Sequence, residues 1–239
     1  MKAAPIIACL SIFGFLTFVG AQEDEEEQLI TGDQFPAGFG VARSSLSPDG
    51  RYGVLAPADL DQSEETKGEN KLVEVKTGKV LAPIDAETGL LRMNHGGILP
   101  SRWSAAGSLL LWHVDGKWSP RALVLLRIDN GEVKWQRNLL KMAQQEILAR
   151  TRKVAPQKYA AIKKRNSELD QDYYPDGFTV NVEVAGEEDA PLSLPLHLEV
   201  DLETDPNVVD PPPKIRLTSR LKAVVDAAGK LIVESFAGD

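Results

Sequence analysis

The last third of the chain shows the clearest pattern, a regular alternation of apolar and polar residues. Three stretches carry it, residues 178–184, 194–202 and 215–225. A fourth apolar stretch, residues 230–236, follows a turn at residues 226–229. Alternation with a period of two is typical of strands that bury one side and expose the other. The pattern therefore predicts a C-terminal antiparallel β-meander over residues 173–239, with its apolar face packed on a helix.

Two of these strands carry opposite charges on their polar sides. One presents the acids Glu199, Asp201 and Glu203, and the next presents the bases Arg216, Arg220 and Lys222. Opposite charges that face each other across an antiparallel pair stabilise it by about 0.2–1 kcal/mol each. We therefore predict that these two strands are neighbours. The loop between them, residues 204–214, contains consecutive prolines that should keep it extended and outside the sheet.

The first half of the chain contains an internal sequence repeat. Residues 45–55 and 101–112 each consist of a serine, a tight turn closed by glycine, and an apolar strand. Later turns match in the same order, at residues 76–79 and 129–131. Glycine supplies the positive φ that such turns require. The sequence predicts two antiparallel β units within residues 38–137.

The turn sequences carry a family resemblance. The first is Ser47-Pro48-Asp49-Gly50, and the second is Trp103-Ser104-Ala105-Ala106-Gly107-Ser108. They resemble the blade repeat of TolB-type or WD-like β-propellers, over residues 38–136. The resemblance implies that each unit is a four-stranded antiparallel sheet in which this turn joins two strands. A closed propeller typically needs at least four blades, so two units imply an open pair of sheets or a core completed by the C-terminal strands. Two ordinary hairpin pairs with common turn chemistry are the alternative.

Residues 138–172 change to a helical period, with apolar residues three or four apart and good helix formers between them. Pro156 should end one helix and begin a second, because proline fits the first turn of a helix but not its interior. The segment is also basic. From residue 137 to residue 165 there are nine basic residues and one acid, Glu146, which gives a net charge of +8.

This basic helical segment is the candidate site for weak contact with an anionic surface, such as phospholipid headgroups or an acidic polymer. The candidate residues are Arg150, Arg152, Lys153, Lys158, Lys163, Lys164 and Arg165. The alternative is a solvated helix whose charge balances the acidic remainder of the same protein. Few bulky apolar residues flank the lysines, which is not typical of a strong membrane-binding helix.

The N-terminus has the features of a secretory signal peptide over residues 1–21, with a cut after Ala21. Its apolar stretch is short for a bilayer span, so we expect no transmembrane span in the mature chain, with an uncleaved anchor as the alternative. Cys9 leaves with the signal, so the mature chain has no disulfide. Residues 22–37 begin with an acidic run and should form a disordered tether. The expected location is secreted or periplasmic.

Candidate chemistry is sparse. His95, His113 and His197 lie in three separate predicted elements, and none has the spacing of a paired metal site. Signatures of a nucleophilic serine or a phosphate-binding loop are missing from the sequence. We therefore assign no catalytic residue, metal or cofactor. Trp103, Trp112, Trp118 and Trp135 are assigned to packing rather than to a carbohydrate-binding face. The net charge of −8 argues against general nucleic-acid binding.

The predicted fold class is mainly β, of the α+β type: two antiparallel blade-like units, a helical segment and the C-terminal meander. The role most consistent with these patterns is non-enzymatic binding of an unknown protein or polymer partner. One alternative is an envelope or extracellular hydrolase, or its accessory subunit, that uses loop carboxylates. Another is association with an anionic surface through the basic helical segment. A pocket in which several carboxylates converge with a histidine would favour the hydrolase.

Overall fold

The computed structural model describes residues 29–57, 69–86, 89–90, 96–117, 119–165, 174–186, 190–205 and 216–238. Over these residues the chain is mainly β, as predicted, with three antiparallel sheets and two consecutive helices. The predictions for the signal peptide, for His95, for Trp118 and for most of the proline-containing loop concern residues outside these ranges.

The first sheet has five strands in sequence order. They are β1 (Leu29–Ile30), β2 (Phe39–Ala42), β3 (Tyr52–Pro57), β4 (Lys71–Glu74) and β5 (Val80–Pro83). Every residue of β3 is buried, because both faces of the sheet are covered. Val54 faces the second sheet, whereas Leu55 packs in a small cluster with Phe35 and Val41 on the other face.

The second sheet leads directly into the helices. Its strands are β6 (Gly97–Ile98), β7 (Arg102–Trp103), β8 (Leu109–Asp115), β9 (Pro120–Asp129) and β10 (Glu132–Asn138). Helix α1 (Leu139–Val154) follows at once, and the Asn138 side chain caps it by accepting a hydrogen bond from the Lys141 backbone N–H at 3.0 Å. Helix α2 (Pro156–Arg165) begins after one intervening residue. The predicted break at Pro156 is therefore confirmed.

The third sheet is the predicted meander. Its strands, in spatial and sequence order, are β11 (Phe178–Val184), β12 (Leu196–Thr204), β13 (Thr218–Val225) and β14 (Leu231–Gly238). The expected pairing of the acidic and basic strands is confirmed, because Asp201 lies opposite Arg220 and Glu199 lies opposite Lys222. Both pairs are ion pairs, with N–O distances of 2.7 and 2.8 Å.

The two repeated turns share a set of hydrogen bonds. Ser47 Oγ accepts the Tyr52 backbone N–H at 2.9 Å, and Ser104 Oγ accepts the Leu109 backbone N–H at 3.0 Å. The glycine three residues after each serine has a positive φ, of 68° in the first turn and 64° in the second. In both turns its N–H donates to the carbonyl of that serine. The sequence repeat therefore corresponds to a repeated turn between antiparallel strands.

Apolar cores lie on both sides of the second sheet. One cluster fills the space between the first and second sheets. A larger cluster joins the other face of the second sheet to both helices and to the apolar face of the third sheet, with Leu125 of β9, Ile147 of α1 and Leu221 of β13 among its members. The meander thus packs on the helix as predicted, and the β regions on either side of the helices share one core.

The predicted N-terminal tether is too long. Within residues 22–37, β1 pairs with β2, and Leu29 and Phe35 are each only 7% exposed. These apolar side chains supply the burial that the acidic run cannot, so the chain is held against the first sheet. The expectation of disorder is therefore wrong for residues 29–37.

The strands that precede the two repeated turns are short. Strand β2 ends at Ala42, and the chain continues as a 3₁₀ turn, Arg43–Ser45. Ser45 Oγ donates to the Ala42 carbonyl at 2.6 Å and accepts the Val54 N–H at 2.7 Å, so a side chain replaces part of the backbone ladder. Before the second turn, β6 and β7 are two-residue strands with Pro100 between them.

Candidate functional site

Three parts of the fold meet beside the repeated turns. The Trp103 indole N–H donates to the Ser45 carbonyl at 3.0 Å, and the Ser101 backbone N–H donates to the Ser44 carbonyl at 2.8 Å. On the other side, the Leu192 backbone N–H donates to the Trp103 carbonyl at 2.9 Å. Strand β7 is therefore fixed between the first sheet and the segment that precedes β12.

A groove of about 760 Å³ lies at this junction. The first repeated turn, the chain around β7 and β8, and residues 190–191 each contribute to its lining. Much of the lining is apolar, and it includes Leu46, Pro48, Leu99, Trp103, Leu111 and Pro191. A concave apolar lining with a few polar groups is typical of ligand sites.

Three polar side chains line the same groove: Ser101, Arg102 and His113. The Ser101 Oγ is buried and has no hydrogen-bond partner within the described part of the chain. The Arg102 guanidinium contacts the Ala190 carbonyl at 3.4 Å, near the limit for a hydrogen bond. The groove lining contains no carboxylate among the described residues. Its polar groups therefore suit a ligand with an anionic or carbonyl group.

The two histidines that the structure describes, His113 and His197, lie in different sheets. His113 lies on β8 in the groove, whereas His197 lies on the solvent-facing side of the third sheet, with Nδ1 3.7 Å from the Glu234 carboxylate. Over the described ranges, no three His, Asp or Glu side chains are grouped so that they could hold a metal ion. Among the described residues that line this groove, no carboxylates converge with His113 as the hydrolase alternative would require.

The predicted anionic-surface residues all lie on α1 and α2. Arg150 forms an ion pair with Glu146 at 2.7 Å, and Lys163 forms one with Asp176 at 2.6 Å. The other five are exposed and make no ion pair with any described residue; we call them the basic surface, which consists of Arg152, Lys153, Lys158, Lys164 and Arg165. All five thus lie on two consecutive helices.

Asp176 links α2 to the start of the third sheet. It accepts a hydrogen bond from the Tyr159 hydroxyl at 2.5 Å and has a left-handed φ of 57°. Burial alone would raise the pKa of Asp176, but the hydrogen bonds from Lys163 and Tyr159 outweigh it and hold that pKa below its ordinary value. Burial, together with the hydrogen bond to Asp176, raises the pKa of Tyr159, so its hydroxyl stays protonated. These three residues form a clamp beside the basic surface.

The tryptophans that the structure describes are packed rather than displayed. Trp103 is 7% exposed and Trp112 is fully buried, and both belong to the core between the first two sheets. Trp135 is partly buried against the larger core, with the Arg137 guanidinium 5.4 Å from its ring centroid. Their assignment to packing is confirmed, although Trp103 also reaches the groove.

No protein-family model, curated protein or solved structure matches this chain. Neither described helix combines the length and the apolar character needed to cross a bilayer. The site is therefore interpreted from its own geometry and chemistry.

Sequence patterns alone do not point to the groove. Ser101 and Trp103 stand out only as parts of the repeat, and His113 has the features of a lone packing or surface histidine. Arg102 and Ala190 are 88 positions apart in the chain, so no local pattern relates them. The repeated turn, with Ser47 in the first copy and Ser104 in the second, is the sequence signal that lies beside this region.

Proposed function

We propose that this protein is an exported, non-enzymatic binding protein whose ligand occupies the groove beside Ser101, Arg102 and His113. One observation carries the proposal: these three polar side chains share a groove of about 760 Å³ in which three segments of the fold meet. Grooves of this size that lie between structural units are favoured places for small molecules and short peptide segments.

Export is supported by the apolar N-terminal stretch, which has the features of a signal peptide. The matched turns and their resemblance to propeller-blade repeats support a scaffold of two related β units. In this proposal the scaffold holds β7 rigidly, because the Trp103 indole and the Ser101 amide are both bonded to the first sheet.

The groove lining favours one class of ligand. An apolar body would contact Leu46, Leu111 and Pro191, and an anionic end would contact the Arg102 guanidinium. A hydrogen bond to a charged group contributes roughly 1.5–3 kcal/mol. A short apolar peptide with a free C-terminal carboxylate has both features.

Binding can be measured with N-acetylated apolar tripeptides, each prepared with a free C-terminal carboxylate and as the matched amide. Trp103 lines the groove and makes intrinsic fluorescence a direct readout. We expect the carboxylate to bind at least roughly tenfold more tightly than the amide, because only the carboxylate pairs with Arg102. Arg102→Gln should remove this preference, whereas Arg216→Gln, at an exposed position outside the groove, should keep it.

Equal binding of the acid and the amide by the wild-type protein would contradict the proposed ligand class. Failure of every tripeptide to bind would contradict the groove as a peptide site. The hydrolase alternative would regain support only if a bound ester or peptide were cleaved, because the described lining offers no carboxylate to act as a base. Association with an anionic surface concerns the basic surface, a different part of the molecule.

A further inference from the structure

We infer that the basic surface on α1 and α2 docks the protein on an anionic lipid bilayer, in addition to the binding proposed for the groove. The five cations that define it, Arg152, Lys153, Lys158, Lys164 and Arg165, are exposed. The neighbouring bases Arg150 and Lys163 are already paired with Glu146 and Asp176. Of the seven predicted residues, these five are therefore the ones that form no ion pair with a described residue.

The distribution of charge favours one orientation on an anionic surface. The whole chain has a net charge of −8, so an anionic bilayer repels most of it. The solvent-facing side of the third sheet presents the exposed acids Glu183 and Glu203 beside the Glu199–Lys222 and Asp201–Arg220 ion pairs. The other side of this sheet packs on α1. The acidic face and the helices therefore lie on opposite sides of that sheet, and the basic surface can approach the bilayer alone.

An exposed apolar residue distinguishes a bilayer from a soluble polyanion as the partner. Val154 ends α1 with 54% of its surface exposed, more than any other large apolar residue among those described. Lys153 precedes it, and Pro156 starts α2 two residues later, so Val154 lies at the corner between the helices. An apolar side chain among cations gains burial at a headgroup boundary but gains nothing from a soluble polyanion.

The test is co-sedimentation with vesicles of phosphatidylcholine alone and of phosphatidylcholine mixed with phosphatidylglycerol, with soluble polyphosphate as a competing probe. All variants are made in the full-length chain, so the apolar N-terminal stretch contributes equally to each measurement. We expect binding to the anionic vesicles only, and we expect it to weaken as ionic strength rises. The test variant is K153Q/K158Q/K164Q.

The matched control is K76Q/K79Q/K230Q, which removes the same total charge from exposed turns of the first and third sheets. Each basic residue near an anionic bilayer strengthens binding about fivefold, so the test variant should bind roughly 100-fold more weakly than wild type. The control should bind no more weakly than wild type. Val154→Ser should weaken vesicle binding by roughly threefold to tenfold and leave polyphosphate binding unchanged.

Four results would overturn the proposal. They are no binding to anionic vesicles, binding that is insensitive to salt, equal losses in the test and control variants, and binding to polyphosphate without binding to vesicles. The last result would assign the basic surface to a soluble polyanion instead. None of these substitutions touches the groove, so the result is independent of the peptide measurements.

Discussion

The Arg220 Nε lies 2.7 Å from the Asp201 Oδ1 across the β12–β13 pair. The two residues are directly opposite in the register, and Lys222 and Glu199 form the next pair on the same face. The hydrogen bond to Asp201 and the charge of that carboxylate raise the pKa of Arg220 above its ordinary value. Both side chains remain largely exposed, so the pair contributes more to the register of the strands than to total stability.

Charge-reversal variants should show how much the Asp201–Arg220 pair contributes to the pairing of these two strands. Asp201→Arg and Arg220→Asp each place like charges across the strand pair, and each should lower the melting temperature by roughly 1–3 °C. The double variant restores opposite charges and should recover most of that loss. Thermal unfolding at low ionic strength, followed by circular dichroism, measures all four proteins. If the double variant loses as much melting temperature as the two single variants do together, a direct interaction between the two residues is contradicted.

The third sheet was predictable because one of its faces is exposed to solvent and the other is buried. Along β12, Leu198, Val200 and Leu202 are buried while the acids between them are at least partly exposed, so burial is recorded in the sequence as a period of two. The charges on its exposed face then identified the neighbouring strand. Helix α1 was predictable for a similar reason, since its apolar positions follow a helical period and Pro156 marks its end.

The groove could not be predicted, because it depends on side-chain hydrogen bonds and tertiary contacts that the local sequence does not indicate. Ser45 uses its hydroxyl to end β2, and no propensity rule distinguishes that serine from an ordinary strand residue. Residues 190–191 line the groove beside β7, although they belong to the segment that precedes β12, a strand of the sheet that packs on α1. Relations of this kind arise from tertiary packing, which a single sequence does not record.

Gly50 and Gly78 have the same positive φ of 68°, so substituting each one distinguishes the cost of backbone strain from the cost of a steric clash. A Cβ at Gly50 would meet no atom within 4 Å, so Gly50→Ala should cost about 1 kcal/mol through backbone conformation alone. A Cβ at Gly78 would overlap the backbone carbonyl of Gln34, so Gly78→Ala should cost at least roughly 1 kcal/mol more. Urea denaturation gives both free energies of unfolding. Equal losses would mean that residue 34 is not held against this turn.

Because both sheets share a core with α1, removing a buried side chain at the centre of this helix should greatly reduce the free energy of unfolding. Ile147 is fully buried between the second and third sheets, so Ile147→Ala should reduce the free energy of unfolding by about 2–5 kcal/mol. Gln145 is exposed on the same helix, and Gln145→Ala should change that free energy by less than about 0.5 kcal/mol. Urea denaturation measures both variants. A small effect at Ile147 would show that the third sheet does not pack on this helix.

The Asp176 clamp predicts a pH dependence of stability. The pKa of Asp176 is lower in the folded protein than its ordinary value of 3.8, so its ionised form stabilises the fold. That stabilisation is fully present above the ordinary pKa, and it is lost as pH falls through the folded-state pKa. Asp176→Asn keeps a residue that tolerates positive φ but cannot carry the charge.

Melting temperatures of wild type and of Asp176→Asn should therefore differ at neutral pH and converge as the medium becomes more acidic than pH 3.8. Tyr159→Phe provides the control, since it removes one hydrogen bond and leaves the Lys163 ion pair in place. A wild-type advantage over Asp176→Asn that persists unchanged into strong acid would show that the carboxylate charge is not its source.

The groove itself is tested most directly by filling it. Ala105 and Ala106 are adjacent, exposed residues of the second repeated turn, but only Ala105 lines the groove. Titration of the tripeptide acids should show that Ala105→Trp weakens binding at least roughly tenfold, because the indole occupies the ligand's space, while Ala106→Trp binds as wild type does. Equal affinity in Ala105→Trp and Ala106→Trp would contradict the groove as the binding site.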